Sequence, residues 1–216
     1  LMLLSDQEDN RVRRAVWGAL KNYKNNEKVS KFLQEVIDTD DMYYSISDAF
    51  RALVIVDTSA AKEKVDKLLN TDSHTDVIRK AAISFFGSVR NDQNYEILKD
   101  LSEYGGTTWD ARPEVINQLG KYTKDRMETL DLFVELLDDN TRSVRRNSVR
   151  QIGRFGNKEH LNHLEELLAN DPILERDIRS ATKSILNRSK KPSKDISEKE
   201  LDELNKTIEN IRKLVN

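Results

Sequence analysis

The chain has 216 residues, 34% charged and 37% hydrophobic, and its 36 basic and 38 acidic side chains leave a formal net charge of −2. That balance supplies no overall basic excess to drive sequence-independent nucleic-acid binding. The absence of cysteine excludes a disulfide framework, a thiolate nucleophile and a Cys-rich zinc site, and it fits a reducing, cytoplasmic setting.

At the front, Leu1-Met2-Leu3-Leu4 lacks the basic flank and length of a signal peptide, and no later apolar run approaches the ~20 residues that cross a bilayer. Val12, Ala15, Val16, Ala19 and Leu20 then recur at helical spacing. A polar, Asn-rich turn follows over residues 21–26, and Val29, Phe32, Leu33, Val36 and Ile37 form a second stripe. The same plan returns along the chain. Ala49, Phe50 and Leu53 precede Val65, Leu68 and Leu69; Ala81, Ala82, Phe85 and Phe86 precede Ile97, Leu98 and Leu101. Val115, Ile116 and Leu119 precede Leu130, Phe133, Leu136 and Leu137, and Val144, Val149 and Ile152 precede Leu161, Leu164, Leu167 and Leu168.

The six copies are headed by Val12, Ser45, Ile78, Ala111, Val144 and Ile178, at separations of 33, 33, 33, 33 and 34 residues. A second apolar anchor follows in each: Leu20, Leu53, Phe86, Leu119, Ile152 and Leu186. This period predicts an all-α solenoid, an α-α superhelix of about six helical hairpins, because one hairpin cannot bury its apolar face alone and must stack on the next. Gly87, Gly120 and Gly153 follow the second anchor and are expected to end first helices at positive φ.

The ends carry further expectations. Leu3-Leu4 with Ser5-Asp6 matches the phase of Leu136-Leu137 with Asp138-Asp139, so the chain enters the repeat in the last turn of a second helix, as a piece of a longer polypeptide would. After Leu186, residues 188–194 read as a linker broken by Pro192. Residues 195–216 read as an amphipathic helix, with Ser197 and Glu200 as a capping box and Leu201, Leu204, Ile208, Ile211 and Val215 on a heptad seam that caps the solenoid or dimerises. The expected organisation is thus a solenoid over 1–187, a linker and a terminal helix.

The pairs Val144-Arg145 and Ile152-Gly153 resemble HEAT-like repeats. A longer set, Tyr104-Gly105-Gly106, Ala111-Arg112, Leu119-Gly120, Leu136-Leu137-Asp138-Asp139, Val144-Arg145 and Leu164-Glu165, resembles the C-terminal helical domain of aminopeptidase N-like zinc metallopeptidases, best over residues 76–190. That resemblance implies a noncatalytic domain that walls a substrate chamber, with zinc and the catalytic residues upstream. Neither His-Glu-x-x-His nor Gly-x-Met-Glu-Asn occurs here, so no catalytic or metal-binding residue is assigned. It also implies that second helices line the inner curve, which makes Lys31, Glu35, Lys64, Lys67 and Lys99 candidate contacts to a protein or peptide.

One position after each head stands Arg13, Ile46, Arg79, Arg112, Arg145 or Arg179. The five arginines share a phase and are expected to form a structural ladder, with Asp9, Asp76, Asp110, Asp139 and Asp177 as nearby partners. Arg142, Arg146, Arg150 and Arg154 fall on one face of one helix, either a solvated face or an anion or partner surface. Trp109 and Asp110, near Tyr104, join that stripe in an alternative resemblance to HEAT-like DNA glycosylases, which the net charge opposes. Trp109 is also placed to cover the joint between repeats. His160 and His163, with Glu159, Glu165 and Glu166 nearby, could share a helix face toward a divalent ion, but a solvated helix start explains them better, and His74 belongs to a polar turn.

Overall fold

The computed structural model describes residues 10–189 and Lys206. The expected entry at Leu3-Leu4 and the heptad helix over 195–216 fall outside the described residues, Lys206 apart. Among the described residues every regular element is helical. The fold is an all-α solenoid of paired helices, in two compact units, Leu1–Leu119 and Gly120–Asn216.

The first unit contains α1 (Asn10–Leu20), α2 (Glu27–Thr39), α3 (Tyr43–Val56), α4 (Thr58–Leu69), α5 (Val77–Ser88), α6 (Asp92–Ser102) and α7 (Arg112–Leu119). The odd-numbered helices pack on one another in succession, and α2, α4 and α6 each pack on the first helix of the next repeat. The second unit contains α8 (Glu128–Glu135), α9 (Arg142–Phe155), α10 (Leu161–Asn170) and α11 (Glu175–Ser189). There α9 packs on α11, while α8 and α10 pack on the first helices that follow them. Helix α11 continues through Ser189, two residues into the stretch read as linker.

The turns between helices work as caps. Asn26, Asp57 and Asn91 each accept a backbone N–H with the side chain, from Val29, Ala60 and Asn94, at the starts of α2, α4 and α6. Asp57 also accepts from the Ser30 hydroxyl at 2.7 Å, tying α2 to α4. These bonds, led by the one from Ala60, hold its carboxyl below the usual range.

The repeat heads Ser45, Ile78, Ala111, Val144 and Ile178 are buried, but Val12 is 36% exposed. Five second anchors are buried and Leu186 is half-buried. Five residues after the heads of the first unit, Trp17, Phe50, Ile83 and Ile116 make a column of large buried side chains, and Val149 is buried at the same phase in the second unit. Small residues such as Ala49, Ala81 and Ala82, fully buried, let the helices approach.

The glycines correct one expectation. Gly87 and Gly153 lie inside α5 and α9 rather than at caps, and among described glycines only Gly105 has positive φ. Their role is close approach. A Cβ on Gly153 would stand 2.7 Å from both Cα and Cβ of Ala181 on α11, and one on Gly87 would stand 2.2 Å from Oε1 of Gln118 on α7. Gly153→Val is therefore expected to cost about 1–3 kcal/mol by overpacking. Gly18→Ala, where a Cβ meets nothing within 4 Å, should stabilise by up to ~1 kcal/mol through helix propensity. Chemical denaturation of both variants checks the sign difference.

Candidate interaction surfaces

The ladder arginines act mainly on helix ends. Arg79 Nε donates to the Leu69 carbonyl at 2.8 Å, and Arg112 donates Nε and Nη2 to the Ser102 carbonyl at 3.1 and 2.7 Å. Arg145 Nη1 donates to the Asp139 carbonyl at 2.6 Å. Each guanidinium thus meets the carbonyl end of the preceding second helix, where orphan acceptors and the negative end of the helix dipole favour a cation. Arg145 also bridges forward, pairing with Asp171 at 2.6 Å, and Arg13 bridges forward to Asp40, with which it pairs, and to Ser45, to which it donates. The Arg145 hydrogen bond is the chief reason that the Asp171 carboxyl sits below its ordinary range.

The carboxylate partners differ from the expected set. Asp76 does pair with Arg79 and also accepts from Thr108, and Asp9 lies outside the described residues. Asp177 receives Arg146 and Arg150, and Arg179 pairs with Glu175 one helical turn away. Asp139 meets Arg145 through its carbonyl, and Asp110 has no ion pair among the described residues. The missed partners, Asp40 and Asp171, lie about a repeat downstream of their arginines, where stacking rather than chain proximity brings them.

The stripe on α9 is largely engaged. Arg142 approaches Asp171 at 3.5 Å, joining Arg145 there, and Arg146 and Arg150 approach Asp177 at 3.3 and 2.9 Å. Four guanidiniums meet two carboxylates. Arg154 has no carboxylate partner among the described residues and lies over the Phe155 ring, 5.1 Å from its centroid. Beside it a groove of about 340 Å³ runs between α9 and α11, lined by Arg150, Gly153, Arg154, Asp177, Ser180 and Arg188 among others. In the first unit a groove of about 560 Å³ lies between α1 and α3, with Arg14, Lys21, Arg51 and Trp17 in its lining. Sequence reasoning singled out neither Trp17 nor Arg188, although Trp17 stands in the apolar column with Phe50.

Between α6 and α7 a long loop presents two aromatics. Tyr104 is 80% exposed and Trp109 71%, so Trp109 does not cover the joint between repeats as expected. The loop is nonetheless held. Gly105 takes φ 87°, and a Cβ on Gly106 would stand 2.2 Å from the Asp100 carbonyl oxygen, so both positions require glycine. Thr108 donates to Asp76 and accepts the Arg112 N–H through its carbonyl at 3.0 Å, while the Arg112 guanidinium lies 5.9 Å from the Tyr104 ring centroid. Asp110 is half-buried beside them.

The lysines assigned to the inner curve divide. Lys64 and Lys67 on α4 both pair with Asp38 on α2, at 2.5 and 3.2 Å, whereas Lys31 pairs with Glu27 on its own helix. Glu35 and Lys99 are exposed. His160 closes a capping box, its Nδ1 accepting the Asn157 N–H at 3.3 Å. Burial, then neighbouring His163, pushes its pKa below the ordinary value. Among the described residues no three His, Asp or Glu side chains gather into a metal site. His74 lies exposed in a short 3-10 turn, 6.2 Å from the Tyr43 ring. No helix among the described residues is long and apolar enough to cross a membrane.

No curated protein matches the chain. The sequence pattern of the HEAT repeats family matches residues 101–185, the stretch that holds the Tyr104–Trp109 loop, Arg112 and the arginine-bearing α9, and supports a HEAT-like repeat there.

Proposed function

We propose that the chain is a noncatalytic helical-repeat scaffold that binds a protein or peptide, with the Tyr104–Trp109 loop at the contact. The supporting observation is two large aromatics left in water on a loop whose backbone is held by Gly105, Gly106, Thr108 and Arg112. Rigid exposed aromatics are the side chains that carry most binding energy at interfaces, because they bury much area at little cost in conformational entropy. A photo-crosslinking residue at Thr107 should yield a discrete adduct in cells. The Tyr104→Ala/Trp109→Ala variant should lose at least about 30-fold in capture, as even one hot spot of about 2 kcal/mol implies, with its thermal melting nearly unchanged. Capture unchanged by the double substitution, or no adduct at all, overturns the assignment.

The finer reading is a substrate-gating domain at the C-terminal side of an aminopeptidase N-like enzyme. Its support is the motif set from Tyr104-Gly105-Gly106 to Leu164-Glu165. An encoding frame that continues upstream of residue 1 through His-Glu-x-x-His supports it, and a frame without that motif removes it.

A further inference from the structure

We propose that the groove between α9 and α11 binds an acidic peptide segment, whose carboxylates engage Arg150, Arg154 and Arg188. This rests on the scaffold reading and gives the partner its chemistry.

Three features of the groove point to an anionic ligand. Arg188 donates Nη1 to the Gly153 carbonyl at 2.8 Å and Nη2 to the Gly156 carbonyl at 2.7 Å. Those bonds orient the guanidinium without cancelling its charge, and a guanidinium has further N–H groups to offer. Arg150 is fixed by Asp177, which it shares with Arg146, so one carboxylate stands against more than one cation. Arg154 is exposed and has no carboxylate partner among the described residues. The groove's lining therefore carries three guanidiniums and a single carboxylate, in a chain whose overall charge is −2. Planar forks held in place are suited to carboxylates, which they bind in pairs of parallel hydrogen bonds.

A peptide fits this arrangement better than a nucleic acid. Sequence-independent binding to a phosphate backbone draws its affinity from many cations in a row. Here Asp171 and Asp177 interrupt the same face and would repel consecutive phosphates. A peptide can place its acidic side chains at the arginines and leave the aspartates uncontacted.

The test uses the full chain and a labelled hexaglutamate peptide in low-salt buffer, with Arg154→Glu as the groove variant and Lys62→Glu, on exposed α4 surface, as the control with the same change in net charge. Binding is expected to weaken with salt and to fall about tenfold in Arg154→Glu, from one lost charge-assisted contact and added repulsion. Lys62→Glu should stay within about twofold, as expected for an exposed charge that does not line the groove. Circular dichroism melts should match for all three proteins. No binding at low salt, equal weakening by the two variants, or tighter binding of an oligothymidylate of equal charge overturns the proposal. If the peptide fails to bind while crosslinking from Thr107 still captures a partner, the groove assignment falls and the scaffold stands. If crosslinking fails while the peptide binds in the groove, the loop is not the contact, and the groove stands as the scaffold's binding site.

Discussion

Arg112→Ala should lower the unfolding free energy by about 3 kcal/mol, read as a shift of the urea midpoint at unchanged slope. Arg112 is 2% exposed, yet it carries a full charge. It is tolerated because its fork donates twice to the Ser102 carbonyl at the end of α6 and the rest of the side chain is packed. Truncation removes hydrogen bonds from a charged donor, strands a buried carbonyl and opens a cavity, three losses that add in one direction. Arg112→Lys should recover less than half of the loss, since a single ammonium on a flexible stem cannot reproduce the fork. A cost below about 1 kcal/mol for Arg112→Ala would show that the guanidinium is not holding the α6 end.

Trp17→Ala is expected to be at least as damaging, about 3–5 kcal/mol, because it removes a large side chain that is almost wholly buried. Trp17 is 1% exposed and contacts the Phe32 ring at 6.0 Å between centroids. Its indole N–H has no hydrogen-bond partner among the described residues. That detail separates two substitutions: Trp17→Phe keeps most of the apolar volume and gives up no hydrogen bond, so it should cost no more than about 1.5 kcal/mol. Thermal or urea unfolding of the pair measures the gap directly. Equal losses from both would mean that the indole nitrogen matters.

The period made the helix pairs legible because stacking forces the same apolar positions to recur in every copy, and the buried heads from Ser45 to Ile178 follow from it. What it could not distinguish was two uses of glycine. A glycine after an apolar anchor reads as a C-cap, but at Gly87 and Gly153 the demand comes from the neighbouring first helix, which is remote in sequence. The arginine ladder was visible as a phase, while its acceptors were not. Leu69 and Ser102 contribute backbone carbonyls, which every residue type possesses and no pattern marks. Trp109 was placed at a joint because its head is adjacent in sequence, whereas the Gly105-Gly106 turn and the Thr108–Asp76 bond set the path of a loop that leaves it in water. Trp17, by contrast, could have been found from its place in the column with Phe50 and Ile83.

One copy breaks the ladder: Ile46 stands where the others carry arginine. An isoleucine side chain cannot donate to a carbonyl, so the end of α2 lacks the carbonyl clamp that Arg79 gives to α4 and Arg112 to α6, and is held instead through its cap Asp40, which pairs with Arg13. In a stack whose stability is a sum of neighbouring interfaces, such a difference makes breathing uneven. The terminal turn of α2, held through a side chain rather than by its own carbonyl, is expected to trade its amide protons with solvent sooner than the ends of α4 and α6, which hydrogen exchange would read.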